Sequence, residues 1–257
     1  MNRISACIIT LNEETNLPRT LGSLAGISDE IIIIDSGSTD RTEQIARAHG
    51  AQFTFRPWSN YAEQKNFAAK TASNEWILSI DADEECSSAL QSSILEWKKR
   101  DPAQPVYEMA RRTWYLGEWI KHSGWYPDFQ RRLYRRDAAS FSGIIHESLR
   151  FEGAPGRLPG DLLHYTVRSL EEHQANVERY TTLAAQQMFA QGQRHWRGAF
   201  WFASPWSWFQ NFILRGGFLD GYRGALIARM AARSVEMKYA KLGKLVSATR
   251  NRGRTRM

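Results

Sequence analysis

Residues 76–85 read WILSIDADEE, and the order of residue types in that stretch decides the fold class. Trp76, Ile77, Leu78 and Ile80 make an almost unbroken apolar run, the pattern of a parallel strand covered on both faces. Two carboxylates, Asp81 and Asp83, follow as the run ends, separated by the small Ala82. In extended backbone, residues i and i+2 point to the same side, so the pair can converge on one divalent cation, or on a cation and a sugar hydroxyl. Hard ions such as Mg2+ or Mn2+ take oxygen ligands and keep positions open for phosphate oxygens. The stretch predicts metal-assisted chemistry on a diphosphate. A solvated acidic turn is the alternative that these residues alone leave open.

Working outward, the first hundred residues alternate apolar strand patterns with helical ones. Strands are predicted at Ile4–Thr10, Glu30–Asp35, Ala51–Phe55 and Glu75–Ile80, with helices at about 16–24, up to about Ala48, and at Tyr61–Thr71. Pro18 falls in a first helical turn, where its missing N–H costs little, and Thr39 or Asp40 can cap the second helix. This alternation predicts a parallel, right-handed, doubly wound sheet, in which ligands bind beyond the carboxyl ends of the strands. Three polar clusters, Thr10–Glu14, Asp35–Asp40 and Asp81–Asp83, then share one edge. Asp35 leaves a buried strand where it can accept a nucleobase N–H. Ser36, Gly37 and Ser38 precede a helix N-terminus, which favours anions. Lys65 and Asn66 on the third helix can reach a nucleotide or sugar. Helix capping for Ser38 and a solvated position for Lys65 are the structural alternatives.

Composition excludes several classes. A 257-residue chain with 42% hydrophobic residues is an ordinary globular protein. Its two cysteines, Cys7 and Cys86, make neither a disulfide framework nor a zinc site. The N-terminus enters a strand directly, without a signal-peptide pattern, so a cytoplasmic, reducing compartment is expected. The net charge of +7 is unevenly spread: residues 1–100 hold 10 Lys+Arg and 14 Asp+Glu, and residues 101–257 hold 24 and 13. The second part therefore faces something anionic, or is a basic surface attached to an acidic catalytic half.

The runs CIITLNEETNLPRTLGSL, DEIIIIDSGSTDRTEQIARAHGA and YAEQKNFAAKTASNEWILSIDADEE resemble the nucleotide-sugar-binding half of family 2 glycosyltransferases of the GT-A fold. Further on, GEWIKHSGWYPDFQRRLYRR, SGIIHES and RGGFLDGYRGALIA are similar to a narrower branch, the bacterial lipopolysaccharide core glycosyltransferases, including β-1,4-glucosyltransferases. The resemblance implies an α/β, Rossmann-like mixed sheet flanked by helices, with a C-terminal helical extension at a membrane surface. It divides the chain into a donor half, 1–100, an acceptor half, 101–168, a helical, aromatic and basic extension, 169–245, and a basic disordered tail, 246–257. It also implies an inverting transfer of a hexose, glucose in the named branch, from a UDP-sugar with Mg2+ or Mn2+. Thr10, Leu11, Asn12 and Glu13 match the first nucleotide-contacting loop, and Asp35 the carboxylate that reads uracil. Asp81, Ala82 and Asp83 match the metal- and ribose-binding segment.

Such a reaction needs no protein nucleophile, only a base for the attacking hydroxyl. Asp128 in WYPDFQRRL, ahead of a strand carrying Arg131 and Arg132, is the first choice. Pro127 stands where the family usually has another carboxylate. Glu147 in IIHES is the second choice, and for either residue an ion pair with neighbouring arginines is the structural alternative. Among six histidines, His164 is a candidate third metal ligand with Asp81 and Asp83, and His146 a wall residue of the site. His49, His122, His173 and His195 are assigned no chemistry, His122 and His173 being read as exposed.

From Arg194 the chain places Trp196, Trp201, Trp206 and Trp208 among arginines. The 16 residues from Ala199 to Leu214, interrupted by Pro205, Gln210 and Asn211, are too few to span a bilayer, which takes roughly 20. Tryptophan with basic residues suits the headgroup interface, predicting a peripheral position on the anionic inner face of the plasma membrane, beside a lipopolysaccharide-core or other lipid-linked acceptor. Packing onto the domain or a homo-oligomer contact are other uses of these aromatics. No nucleic-acid partner is expected, because no recognition motif accompanies the basic tail. A rival enzyme reading transfers the sugar to polyisoprenyl phosphate, an acceptor that is already an anion.

Overall fold

The computed structural model describes residues 1–143, 147–167, 169–194 and 196–254, and these form two compact units. The first comprises Met1–Arg112 and Asp128–Tyr165. It begins with β1 (Ile4–Thr10), α1 (Leu17–Leu24), β2 (Glu30–Asp35), α2 (Thr42–Ala48), β3 (Gln52–Phe55), α3 (Tyr61–Thr71) and β4 (Trp76–Ser79). These agree with the sequence reading to within a residue or two at most boundaries. Asn60 caps α3, its side chain accepting from the Glu63 N–H. The second helix starts later than expected, at Thr42, because the Asp40 carboxylate turns onto the Thr42 N–H and hydroxyl at 3.0 and 2.5 Å.

The chain continues through β5 (Glu84–Cys86), α4 (Ser88–Lys98), β6 (Val106–Tyr115), β7 (Glu118–Trp119), β8 (Asp128–Arg135), β9 (Ser140–Ser142), β10 (Ser148–Arg150) and β11 (Gly156–Val167). The sheet order is β3-β2-β1-β4-β8-β6-β11-β5. Strands β3, β2, β1 and β4 are parallel, and β8 adds antiparallel to β4, with Leu78 opposite Leu133. The architecture is therefore the GT-A type of mixed sheet flanked by helices, in which a parallel order passes into antiparallel strands. Both faces are covered. Ile4, Ile8, Ile33, Leu78 and Leu133 pack with α1 and α4 on one side, and Ile32, Ile34, Ile77 and Tyr134 with α3 on the other. Burial pushes the Cys86 thiol up to about 12 and the Cys7 thiol higher still, so neither is a nucleophile at neutral pH.

The second unit comprises Thr113–Pro127 and Thr166–Met257. Its helices are α5 (Leu170–Ala190), α6 (Arg197–Phe209) and α7 (Gly221–Arg254), with a π-helical turn at Gln210–Leu214 and a 3-10 turn at Gly217–Asp220 between α6 and α7. The helix α7 reaches Arg254, into the stretch expected as a tail. Its packing turns on Asp220, whose buried carboxylate accepts from the Lys121 and His122 N–H groups at 3.1 and 3.0 Å and from the Ser123 hydroxyl at 3.0 Å. His122 Nδ1 sits 3.1 Å from the same carboxylate, and His173 Nδ1 is 2.8 Å from the Tyr115 hydroxyl. Neither histidine is the exposed residue the sequence suggested; long-range partners that no local pattern records half-bury both. Gly124 has φ +74°, and an added Cβ would stand 2.6 Å from the Arg215 side chain, so the loop and the Arg215 turn require glycine there.

Candidate active site

Two loops at the carboxyl edge of β1 and β2 are stitched together by side-chain hydrogen bonds. Asp35 ends β2, and its Oδ1 accepts from the Gly37 and Ser38 N–H groups at 2.8 and 2.7 Å. Its Oδ2 accepts from the Thr10 hydroxyl at 2.7 Å and the Ser38 hydroxyl at 2.5 Å. Gly37, at φ +108°, permits the turn that aims two consecutive N–H groups at one carboxylate. Asn12, itself at φ +57°, donates its N–H to Ser38 Oγ and accepts the Thr39 N–H, both at 2.8 Å. Glu13 donates its N–H to Thr42 Oγ1 at 2.8 Å, and its carboxylate accepts from Asn16 at 2.8 Å. Leu11 is exposed between them. The structure thus brings Thr10, Asn12, Glu13, Asp35 and Ser38 together as the sequence predicted. It adds that Asp35 is 2% exposed with four donors on a carboxylate that has about four lone-pair sites.

A second cluster lies where β4 ends. Asp81 Oδ1 is 2.9 Å from Lys65 Nζ, Asp81 Oδ2 bonds Arg132 Nη2, and the Asp81 N–H donates to Glu84 at 3.0 Å. Burial penalises the Asp81 charge, but the Arg132 guanidinium and the Lys65 ammonium outweigh it and hold the carboxyl well below the usual carboxylate range. The same pair of acids, Asp81 and Glu84, pushes the Arg132 guanidinium up against its burial, so it stays charged. Glu84, fully buried, accepts from Arg132 Nη2 at 2.6 Å and lies 3.5 Å from Arg111 Nη1. Arg111 in turn donates from Nε and Nη2 to Asp128 Oδ2 at 3.0 and 2.7 Å, and Gln130 donates to Asp128 Oδ1 at 2.9 Å. At the other end Lys65 reaches Glu147 Oε1 at 3.1 Å. Four carboxylates, Asp128, Glu84, Asp81 and Glu147, therefore alternate with three cations, Arg111, Arg132 and Lys65, in one continuous chain of charge.

Three members of that chain were not singled out from sequence. The sequence marks Arg132 only as a residue of the strand after Asp128, and gives Arg111 and Glu84 no role. The partner of Asp128 is Arg111 across the β6–β8 pairing, where the two are opposite each other, rather than its neighbours Arg131 or Arg132. The signal available was weak: β6 (VYEMARRTWY) and β8 (DFQRRLYR) each carry several charged residues, and nothing local marks Arg111 and Arg132 as the ones drawn into the chain. Asn66, by contrast, is taken away from the cluster. Its amide donates to the Phe141 carbonyl and accepts the Phe141 N–H, both at 2.8 Å, which clamps β9 to α3. Ala82 contributes its carbonyl, accepting from Thr20 Oγ1 at 2.7 Å.

Asp83 sits apart from these cations. Its Oδ2 is 3.3 Å from His164 Nε2, and β11 brings the histidine there by pairing His164 with Glu84 and donating the Tyr165 N–H to the Asp83 carbonyl at 3.0 Å. His164 Nδ1 is buried and makes no hydrogen bond among the described residues. Nor, among those residues, do three His, Cys, Asp or Glu side chains come close enough to hold a metal together. The sequence-level trio of Asp81, Asp83 and His164 is accordingly split: Asp81 is engaged by two cations, and Asp83 and His164 remain as a two-donor pair. An oxygen and an imidazole nitrogen at this spacing fit a divalent ion that takes its other ligands from a diphosphate and water. His146 lies outside the described residues.

The family model for glycosyl transferase family 2 matches residues 5–149, the span that holds both clusters. The chain belongs to that family. An uncharacterized glycosyltransferase of Rickettsia typhi is 31% identical over 98% of this chain and 90% of its own length. The lipopolysaccharide core biosynthesis glycosyltransferase LpsC of Rhizobium meliloti is 31% identical over 92% of this chain and 93% of its own. The enzyme is thus a glycosyltransferase with a lipopolysaccharide-core homologue. Among solved structures, glucosyl-3-phosphoglycerate synthase from Mycobacterium tuberculosis, in complex with Mn2+, uridine diphosphate and glucosyl-3-phosphoglycerate, overlaps 43% of this glycosyltransferase and 44% of that chain at 24% identity and a TM-score of 0.38. No helix among the described residues is long and apolar enough to cross a membrane.

Proposed function

We propose that this glycosyltransferase moves a hexose, glucose by its branch of the family, from a UDP-sugar to a hydroxyl of a lipopolysaccharide inner-core or other lipid-linked sugar, with inversion. The observation that carries the reading is the charge chain running from Asp81 to Asp128, which links the donor-side carboxylate to a carboxylate poised as a base. Asp83 and His164 would hold Mg2+ or Mn2+, whose chemistry when bound is Lewis-acid stabilisation of the departing diphosphate.

The residues of the chain do the rest. Thr10–Glu13 and Asp35 receive the uridine. Because Asp35 already has four donors, a uracil N–H gains access as the Ser38 hydroxyl rotates away. Lys65 and Arg132 keep Asp81 ionised as a hydroxyl acceptor and add positive potential near the diphosphate. Arg111 and Gln130 orient the Asp128 carboxylate. Asp128 then takes the proton of the acceptor hydroxyl as its oxygen bonds the anomeric carbon, and the bond to UDP breaks on the opposite face. Glu147, tied to Lys65, is the second candidate for that role. A lipid-linked acceptor puts the enzyme at the inner face of the plasma membrane, in keeping with its basic second part.

The deciding experiment compares Asp128→Asn and Glu147→Gln against a panel of UDP- and ADP-sugars with purified lipid acceptor, with and without EDTA, scoring donor hydrolysis and transfer. Asp128→Asn should lose transfer by about 100-fold or more while retaining donor binding. Near-normal transfer by Asp128→Asn removes it as the base and favours an acceptor that is already an anion.

A further inference from the structure

In the second unit, α6 and the π-helical turn after it wear their polarity inside out. Phe202, Trp206, Phe209 and Ile213 follow the i, i+4, i+7, i+11 spacing of a helical stripe, and they are 79%, 57%, 41% and 42% exposed. The opposite positions are small or polar and turned inward. Ala203, Ser204 and Ser207 are half-buried and Asn211 is buried. Ser204 donates to the Ala232 carbonyl of α7 at 3.0 Å, and Asn211 donates to the Ser207 carbonyl at 2.7 Å and accepts from Arg215 at 3.2 Å. A helix on a water-exposed surface shows the reverse arrangement, apolar residues in and polar residues out. Leu214, Phe218 and Leu219 extend the apolar surface, each more than half exposed. Among the described residues, ten of the nineteen exposed large hydrophobics fall between Trp201 and Tyr222, so this is one patch rather than scattered exposure.

The charge of the segment that carries the patch selects the medium it meets. Residues 194–257 contain thirteen Lys and Arg against two acids, Asp220 and Glu236, a net of +11. That segment therefore holds the entire positive excess of the chain beyond residue 100, since residues 101–193 carry eleven of each sign. Asp220 is not displayed, because its carboxylate is buried on Lys121, His122 and Ser123. The stretch from Gly198 to Leu214 has no charged residue at all.

We propose that this face inserts into the interfacial layer of an anionic phospholipid bilayer, with the Phe202–Trp206–Phe209–Ile213 stripe among the acyl chains and the arginines and lysines of the second unit on the headgroups. An uncharged aromatic and aliphatic face within a strongly basic segment is the composition of an in-plane interfacial helix. A second copy of the chain is a poor occupant, because isologous pairing would bring two copies of a segment of net +11 together. The proposal deepens the membrane placement above by naming the inserting element, and it stands apart from the transfer chemistry.

The test uses the full-length protein in flotation with vesicles of phosphatidylcholine alone and of phosphatidylcholine with phosphatidylglycerol, at low and high salt. Binding should need phosphatidylglycerol at low protein concentration, yet a fraction should survive high salt, since screening acts on the charges and not on the apolar contact. Lipids brominated on the acyl chain should quench the tryptophan fluorescence of bound protein. Phe202→Glu and Trp206→Glu should each weaken partitioning by about tenfold or more, as loss of an inserted aromatic exceeds the step of about 1.4 kcal/mol that makes one decade. Both should keep the helical circular dichroism of the wild type and its hydrolysis of UDP-sugar without vesicles. Binding that salt abolishes completely, with no quenching, overturns insertion. Self-association in solution that Phe202→Glu abolishes, or RNA binding that competes vesicles off the same face, does so too. A wild type that inserts but handles no UDP-sugar would leave this inference intact and remove the transfer reading.

Discussion

The Lys65 ammonium lies between two carboxylates far apart in sequence, 2.9 Å from Asp81 Oδ1 and 3.1 Å from Glu147 Oε1. Its side chain is 5% exposed, so the two carboxylates are the contacts that offset the cost of burying the ammonium. Removing the cation leaves two acids facing each other across the gap. Lys65→Met should lower stability by about 3 kcal/mol, and adding Glu147→Gln should recover part of that loss. Chemical denaturation of the two single variants and the double variant reads the coupling. Strict additivity would show that the three groups do not act together.

Ser38 and Asp35 give a sharper expectation about donor binding. Ser38→Ala removes one of four donors on Asp35 and should cost about 1 kcal/mol of stability. It also opens a lone pair on Asp35, so uridine diphosphate should bind up to about threefold more tightly, while Asp35→Asn should weaken it. Calorimetric titration with uridine diphosphate measures both. A large loss of affinity in Ser38→Ala would make the hydroxyl itself a ligand contact.

His164 tests the metal assignment. Replacing it with alanine leaves Asp83 as a lone ligand, and the Mn2+ or Mg2+ concentration for half-maximal donor hydrolysis should rise by about 10- to 100-fold. Asp81→Asn should leave that concentration closer to the wild-type value, because Asp81 serves Lys65 and Arg132. Equal shifts in the two variants would put both carboxylates on the metal.

Acid should act on the second unit through His173. Burial lowers its pKa below the ordinary 6.5, so the folded state holds the ring neutral beside the Tyr115 hydroxyl. A depressed pKa means stability fully present above about pH 6.5 that falls as the pH drops below it, where the unfolded chain takes up the proton first. Melting temperatures from pH 7.5 to 5 should therefore decline more steeply for the wild type than for His173→Gln, which does not titrate.

Much of the first hundred residues could be read in one dimension, for physical reasons. Strands β1, β2 and β4 are covered on both faces, so their apolar runs are unbroken and their ends are marked by Thr10, Asp35 and Asp81. Parallel order then places those ends on one edge without further information. Asn66 shows where this reasoning fails. From α3 it is next to Lys65 in sequence, yet its amide is consumed by the backbone of Phe141, 75 residues away.

What local pattern could establish was the alternation of strand and helix, the polar edge at Thr10, Asp35 and Asp81, and the basic, tryptophan-rich end of the chain. These follow from short-range periodicity and composition, which depend on neighbours within a few residues. The division of labour among the acids depended on tertiary contacts. Glu84, Arg132, Arg111 and Lys65 come from four different elements, and their pairing assigns Asp81 to cations, Asp83 to His164 and Asp128 to Arg111. A carboxylate's role is set by the charges within about 4 Å of it, and those are supplied by strand pairing across long sequence separations. The inverted face of α6 is of the same kind: composition announces the aromatics, but only the packing of Ser204 against α7 shows which side they occupy.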